Sequence, residues 1–262
     1  DTTVEVTNPY DGSVVGAHAV PSAEQVEEAV AAAWEVRHRF AATPVAVRAE
    51  ALMHVSRRIT ERLDEIAELI TAENGKPLMW ARAEAGRAAS VFRFAAEETR
   101  RTGGDLQRLD TDAASAGRAA IVRRFPYGPV LGIAPFNFPL NLVAHKVAPA
   151  LAVGAPIIVK PAPATPLSAL LLGELLAETD LPEGSWSVLP VGNDVASTLV
   201  DDPRLPVVSF TGSEGVGLAI QAAVPHKHVT LELGGNAAAV VCPDWASDAD
   251  LDWAATRIAT FA

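Results

Sequence analysis

Val207-Val-Ser-Phe-Thr-Gly-Ser-Glu-Gly-Val-Gly217 passes from an apolar, β-branched run directly into a glycine-containing turn. The run at 207–211 predicts a buried strand, and residues 213–223 predict a helix. Gly212 allows a tight turn between the two. Ser213 either caps the helix in the ordinary way or faces a phosphate group together with the first helix amides. A strand leading into a helix in this way is the repeating unit of a parallel α/β sheet.

The same alternation extends to both sides of this stretch. Further apolar runs that predict strands are 119–125, 130–134, 156–160, 186–191, 228–233 and 237–242. Further helix-like stretches are 140–153, 165–178 and 194–200. Apolar strands joined by helical crossovers predict an α/β fold, with an open, mostly parallel sheet covered by helices on both faces. Ligands of such a sheet bind at the carboxyl ends of its strands.

The front of the chain is predicted to be helical after two short strands at 2–7 and 13–20. Ser22 and Gln25 have the form of a capping box, which begins a helix that runs to Phe40. Apolar residues recur at helical spacing over 44–73 and predict one long amphipathic helix. A third helix runs to about Arg101. The residues 102–117, rich in Gly, Asp, Ser and Thr, predict a linker.

Composition excludes several classes of protein. The chain has 262 residues, 49% of them hydrophobic, and 32 acidic against 21 basic side chains, so the formal net charge is −11. This acidic balance argues against nucleic-acid and anionic-membrane partners, because phosphate binding depends on Lys and Arg. One cysteine cannot form an internal disulfide, and no signal peptide or metal-ligating histidine pattern is visible. We therefore expect a cytoplasmic protein without a metal site.

Three polar residues stand at the ends of predicted strands, each closely flanked by apolar residues. Asn137 follows the strand 130–134, Lys160 ends the strand 156–160, and Glu232 lies beside Gly234 and Gly235 at the end of another strand. The Gly-x-Gly-x-x-Gly pattern of many dinucleotide sites is absent. Because the carboxyl ends of parallel strands meet at one edge of a sheet, these three residues together predict a functional site there.

At these positions the sequence resembles the aldehyde dehydrogenase superfamily. The resemblance depends on four motifs in the family's order and at about its spacing: Pro135-Phe-Asn-Phe-Pro139, Val159-Lys-Pro161, Phe210-Thr-Gly-Ser213 with Gly217, and Leu231-Glu-Leu-Gly-Gly235. It covers nearly the whole chain. It implies a Rossmann-like NAD(P)-binding domain at 1–105 and 127–232, a bridging element for oligomerisation at 106–126, and the start of a catalytic domain at 233–262.

The resemblance also implies roles for individual residues. In this family a Cys thiolate attacks the aldehyde, a hydride passes to NAD or NADP, and water releases the carboxylic acid. Asn137 matches the amide that donates to the developing oxyanion, and Glu232 matches the base that activates the water. The implied cofactor contacts are Ile133, Ala134, Pro135, Phe136, Lys160, Pro163, Gly192, Phe210, Thr211, Gly212, Ser213, Val216, Leu233 and Gly234. Trp80 and Phe92 are candidates for the aldehyde pocket. A homodimer or homotetramer is expected.

Two departures from the family pattern affect these expectations. Many NAD-preferring members carry Glu three residues after the Lys, where it would repel a 2′-phosphate, and Pro163 stands there in this sequence. NAD and NADP therefore both remain open. The family's nucleophile lies about 34 residues beyond the Glu, so it is expected past Ala262. Cys242, at the end of a predicted strand, is expected to be a small buried side chain.

Two other functions remain open. One is a non-catalytic module that binds NAD(P) or forms oligomers. The other is an acylating relative that transfers the acyl group to coenzyme A, in which the deacylating Glu is typically replaced, so Glu232 favours hydrolysis. A hydrolase of the Gly-x-Ser-x-Gly type is not indicated, because that motif is absent.

Overall fold

A computed structural model of the chain describes residues 2–101 and 103–261. The strands are β1 (Thr3–Thr7), β2 (Val14–Ala19), β3 (Asp105–Arg108), β4 (Ala119–Val122), β5 (Val130–Ile133), β6 (Ile157–Lys160), β7 (Trp186–Val188), β8 (Val207–Thr211) and β9 (His228–Glu232). The helices are α1 (Ala23–Ala41), α2 (Val45–Glu61), α3 (Leu63–Asn74), α4 (Leu78–Arg101), α5 (Asn141–Val153), α6 (Leu167–Ala177), α7 (Asn193–Asp201), α8 (Glu214–Ala223) and α9 (Asp248–Phe261).

The centre of the fold is a five-stranded sheet in the order β7-β6-β5-β8-β9. All four neighbouring pairs are parallel, which confirms the predicted α/β fold. The chain moves outward from β5 to β6 and β7 on one side, then returns to β8 and β9 on the other. The strand order therefore reverses between β5 and β8, and a sheet of this type opens a crevice at that point, beyond the carboxyl ends of its strands.

Helices cover both faces of this sheet, because successive strand residues point to opposite sides. Ile157 belongs to a core with Phe40, Leu52 and Phe92, formed by the helices α1 to α6. Its neighbour Ile158 belongs to the opposite core, which α1, α7 and α8 cover. Fully apolar strands are typical of sheets buried on both faces.

The long helix predicted over 44–73 is wrong in one respect, since it is two helices, α2 and α3. Arg62 separates them with φ −102° and ψ 23°. Hydrogen bonds continue on both sides, from the Arg62 amide to the Arg58 carbonyl and from the Ile66 amide to the Arg62 carbonyl. The interruption is therefore a one-residue kink, and the apolar spacing that predicted the helix passes through it unchanged. The capping box of Ser22 and Gln25 is confirmed.

The predicted linker at 102–117 contains a strand. Thr102 lies outside the described residues, but β3 pairs antiparallel with β4 to form a two-stranded sheet of its own. A larger correction concerns 237–242, which is not a strand: its residues have no regular structure and are exposed, Val240 by 82%. An apolar run becomes a strand only where a neighbouring strand accepts its hydrogen bonds, and no described strand pairs with this one.

Over the two described ranges, no helix combines the length and the apolar character that crossing a membrane requires.

Candidate functional site

The crevice at the reversal point is a cleft of about 750 Å³. The carboxyl ends of β5, β6 and β8, together with α7 and α8 along their length, form its walls. Of the predicted cofactor residues, those that line it are Ile133, Ala134, Pro135, Phe136, Lys160, Pro163, Phe210, Thr211, Gly212, Ser213 and Val216. Three others, Gly192, Leu233 and Gly234, are not among the lining residues.

The turn between β8 and α8 forms one wall of the cleft. A Cβ atom at Gly212 would lie 2.6 Å from the Phe210 ring, so a side chain there would displace this ring. Ser213 is the N-cap of α8, and its hydroxyl makes no cap hydrogen bond. The first backbone amides of a helix lack partners within the helix and attract anions. The Ser213 side chain therefore does not act as an ordinary helix cap in this structure.

Lys160 ends β6 and is 4% exposed. Its Nζ donates to the Asn193 Oδ1 atom at 3.0 Å, and Asn193 begins α7 across the cleft. Burial lowers the pKa of Lys160 below its ordinary value. An ammonium group has three donors, so two remain for a ligand in the cleft. Asn193 was not predicted as a site residue, although the turn that follows a strand at Gly192 could have indicated it.

The three predicted residues that do not line the cleft lie at its margins. Gly192 is the N-cap of α7, and a Cβ there would lie 2.5 Å from Asp194 Oδ1. Leu233 packs against Gly217, where a Cβ would lie 2.4 Å from the Leu233 Cδ2 atom. Gly234 borders open space, because a Cβ there would meet no atom within 4 Å beyond its own neighbours in the chain.

Sequence reasoning missed Lys146, a buried residue of α5 that lies behind the cleft. Its Nζ donates to Ser209 Oγ at 3.0 Å and to Thr211 Oγ1 at 2.8 Å, so it fixes the end of β8. Burial lowers the pKa of Lys146 to about 8, and the negative charge of Glu232 opposes this shift. The signal in the sequence was a lone lysine inside the apolar stretch 140–153.

The loop that carries Asn137 is held from below by the helical front of the chain. Asn74 Nδ2 donates to the Phe136 carbonyl at 2.8 Å, and Lys76 Nζ donates to the Asn137 carbonyl at 2.7 Å. The Asn137 side chain itself is exposed. The backbone of the loop is therefore fixed at two successive carbonyls, while the amide that the resemblance implies for the oxyanion stays accessible.

Glu84 of α4 completes this support. Its Oε1 accepts from the backbone amides of Leu140 and Asn141, at 3.0 and 3.1 Å, and so caps the start of α5. Its Oε2 forms an ion pair with Lys76. Neither Glu84 nor Lys76 was predicted as a site residue. A glutamate on the apolar face of α4 was the signal for this buried role.

Glu232 ends β9 at the same edge of the sheet and is exposed. Its backbone carbonyl accepts from the Gly212 amide at 3.1 Å, which joins it to the turn after β8. Glu232 and Asn137 both lie at the carboxyl edge of the sheet, but neither lines the cleft. The structure therefore brings eleven of the fourteen predicted cofactor residues together in one cavity and leaves the two predicted catalytic groups outside it.

Comparison with known proteins settles the family. The sequence matches the aldehyde dehydrogenase family over residues 1–262. The chain belongs to the aldehyde dehydrogenase family. It is 36% identical over 257 residues to the 3-sulfolactaldehyde dehydrogenase of Priestia aryabhattai, over 97% of this chain and 52% of that protein. The chain thus spans about half the length of the curated relatives it matches.

Solved aldehyde dehydrogenases share the fold. Aldehyde dehydrogenase 21 from Physcomitrella patens, in complex with the reaction product succinate, superposes with a TM-score of 0.87 at 42% identity, covering 90% of this chain and 49% of that one. The NADP-dependent glyceraldehyde-3-phosphate dehydrogenase of Bacillus halodurans C-125, complexed with NADP, gives a TM-score of 0.84 at 33% identity, covering 89% of this chain and 50% of that one.

Two expectations for this aldehyde dehydrogenase chain are wrong. Cys242 is exposed, because the stretch around it has no strand to pair with. Phe92 cannot line an aldehyde pocket, because it is completely buried in the core between α4 and its neighbours. Trp80, the other candidate, lines a smaller cavity beside Phe138. No cluster of metal-ligating side chains occurs among residues 2–101 and 103–261.

Proposed function

We propose that this chain is the cofactor-binding part of an enzyme that oxidises an aldehyde to a carboxylic acid with NAD or NADP. The observation that carries the proposal is the cleft where the strand order reverses, which gathers Lys160 and the Thr211-Gly212-Ser213 turn around one space. A cleft of this kind, with a helix N-terminus and a buried ammonium group, has the chemistry that a dinucleotide requires.

The residues of the cleft fit such a cofactor. Gly212 leaves room for the backbone to approach a ligand, and the hydroxyl of Ser213 and the amides of α8 suit a pyrophosphate. The free donors of Lys160 suit the ribose hydroxyls. When bound, the nicotinamide supplies the hydride acceptor of the reaction. Gly192, Leu233 and Gly234 would contribute through the margins of the cleft.

The catalytic groups proposed within this chain are Asn137 and Glu232. The Asn137 amide, on a loop held by Asn74 and Lys76, would donate to the oxyanion that forms when a thiolate attacks the aldehyde. Glu232 would take a proton from the water that releases the acid, because its exposed carboxylate stays accessible at the edge of the sheet. The nucleophilic cysteine is expected outside these 262 residues.

We propose that the cleft accepts both NAD and NADP. Pro163 lines it at the position where a carboxylate would repel a 2′-phosphate. The relative from Bacillus halodurans, solved with NADP bound, supports this acceptance of NADP. Titration of the whole enzyme with each cofactor, followed by quenching of tryptophan fluorescence, tests this step; failure of NADP to bind would contradict it.

Three variants of the whole enzyme test the proposed roles. Asn137→Ala should lower kcat by about 100-fold to 1,000-fold, as loss of an oxyanion donor does in other enzymes. Lys160→Met should raise the KM for the cofactor more than it lowers kcat. Glu232→Gln should leave a single burst of reduced cofactor and slow turnover after it. Glu97→Gln, an exposed residue of α4 paired with Arg93, is the control that should change none of these.

Assembly and location belong to the same proposal. The two-stranded sheet of β3 and β4 exposes Leu106 by 74% and Ile121 by 77%, which supports its use as a contact between subunits of a dimer or tetramer. Light scattering of the whole enzyme and of a Leu106→Ser, Ile121→Ser variant tests this. We also propose a cytoplasmic enzyme, on the basis of its acidic composition and single cysteine.

A further inference from the structure

A second, smaller cavity lies on the other side of the Asn137 loop. Its volume is about 230 Å³, and it lies between α4 and Phe138, the residue that follows Asn137. Lys76 contacts both the Asn137 loop and the wall of this cavity, because its Nζ is 2.7 Å from the Asn137 carbonyl oxygen and 3.8 Å from the centre of the Phe138 ring. The cavity therefore begins one residue from the amide proposed to bind the oxyanion.

Three charged residues line this cavity, and two of them neutralise each other. Lys76 and Glu84 form an ion pair in which the Glu84 side chain is completely buried and the Lys76 side chain is 12% exposed. Arg87 is exposed, and its guanidinium makes no hydrogen bond or ion pair with any residue in the described parts of the chain. The cavity therefore carries one uncompensated positive charge.

Several other arginines of α4 form ion pairs with carboxylates. On the same helix, Arg82 bonds Asp64 at 2.8 Å and Arg93 bonds Glu97 at 2.8 Å. Arg87, by contrast, lines a cavity and has no acidic partner among the described residues. The remaining wall consists of Trp80, Ala83 and Phe138, with the polar side chain of Thr260 from α9.

An apolar cavity with one guanidinium favours a ligand of matching form. A short hydrocarbon chain would contact the rings, and a carboxylate or a similar anion would bind the guanidinium through two parallel hydrogen bonds. The reacting end of the same molecule would then lie toward Asn137. A volume of about 230 Å³ is enough for a chain of a few carbon atoms.

We propose that Arg87 binds the anionic end of the substrate, so that the enzyme prefers short aldehydes that carry a carboxylate or a similar group at the far end. This inference depends on the proposed aldehyde oxidation. Arg87 is then a specificity residue that contacts substrate and takes no part in the chemistry of the aldehyde carbon.

The test compares two four-carbon aldehydes with the whole enzyme: 4-oxobutanoate, which carries a terminal carboxylate, and butanal, which carries none. The wild-type enzyme should prefer 4-oxobutanoate. Arg87→Gln should lower kcat/KM for 4-oxobutanoate by roughly 10-fold to 100-fold, mostly through KM, because a charge-assisted hydrogen bond is lost. The kcat/KM for butanal should change by less than about 2-fold, because butanal has no carboxylate to bind Arg87. The kcat/KM of Arg87→Lys for 4-oxobutanoate should lie between those of the wild type and Arg87→Gln, because lysine keeps the charge and loses the two parallel hydrogen bonds.

Arg82→Gln is the matched control, since it removes an exposed arginine of the same helix whose partner, Asp64, lies outside the cavity. It should affect the two substrates equally. Equal losses on both aldehydes in Arg87→Gln, or no loss on either, would overturn the inference. A wild-type enzyme that oxidises butanal as well as 4-oxobutanoate would overturn it while the proposed function stands. A wild-type enzyme that oxidises neither aldehyde with NAD or NADP overturns both.

Discussion

Glu84→Gln is expected to destabilise the chain strongly, because Glu84 supports three groups at once. One carboxylate oxygen accepts the amides of Leu140 and Asn141, and the other pairs with Lys76. The Glu84 side chain is completely buried. A glutamine keeps one acceptor for the two amides, but its NH₂ group then faces the Lys76 ammonium, donor against donor.

The expected cost follows from this geometry. Removal of one partner from a buried ion pair costs about 3–5 kcal/mol, because the other charge stays buried without compensation. For a chain of this size that corresponds to a decrease in Tm of roughly 6–20 °C. The matched control, Glu97→Gln, breaks an exposed pair with Arg93 on the same helix and should cost about 0.2–1 kcal/mol.

Urea denaturation followed by tryptophan fluorescence measures both costs, since the chain has five tryptophans. A double variant, Glu84→Gln with Lys76→Met, separates the ion pair from the helix cap. It should recover part of the loss, because the uncompensated ammonium is gone. A Glu84→Gln variant no less stable than Glu97→Gln would refute this reasoning, as would a double variant whose loss equals the sum of the two single losses.

Three further predictions concern the cleft. The pKa of Lys146 is lowered to about 8 from an ordinary value of 10.5. Between these two pH values the unfolded chain binds more protons than the folded chain, so the free energy of unfolding should rise with pH. Lys146→Met should flatten that rise, as measured by urea denaturation at several pH values. An unchanged slope would contradict the lowered pKa of Lys146. Gly212→Ala should weaken binding of NAD and NADP alike by roughly 10-fold, because the Phe210 ring must move, and fluorescence titration measures this. Pro163→Glu should weaken NADP binding more than NAD binding, because the new carboxylate repels the 2′-phosphate, and the ratio of the two Kd values checks this directly.

The sheet could be predicted from the sequence because its signals are local. Each strand of the sheet is a largely apolar run with a turn or a helix at its end, as at 207–217, and the pattern is clearest in β6, whose four residues are all buried. The same locality explains the prediction of the cleft, since Lys160 and Gly212 lie directly at strand ends. The reversal of strand order, by contrast, depends on how all five strands pair, so no single run of residues could predict it.

The support of the Asn137 loop could not be predicted, because it depends on contacts between residues far apart in the chain. Asn74 and Phe136 are 62 residues apart, and Glu84 and Leu140 are 56 apart. A polar residue on the apolar face of a predicted helix must find a hydrogen-bond partner once it is buried, but the sequence does not show which group is that partner. Lys146 is a similar case, since its partners Ser209 and Thr211 come from another strand. The strand prediction at 237–242 is wrong for the opposite reason, because the local pattern favours a strand but no described strand pairs with it.

Two buried glutamates join the helical front of the chain to the helices that cover the sheet. Glu73 of α3 accepts from the amides of Leu167 and Ser168, at 2.8 and 2.9 Å, and so caps α6. Glu84 of α4 caps α5 in the same way. The capped helices α6 and α5 follow the strands β6 and β5, and the carboxyl ends of these strands line the cleft. Each cap satisfies amides that a helix start otherwise leaves without partners, at the edge of the sheet where the Asn137 loop begins. These two caps therefore hold the starts of α5 and α6 in place, and loss of the Glu84 cap should shift the Asn137 loop that leads into α5.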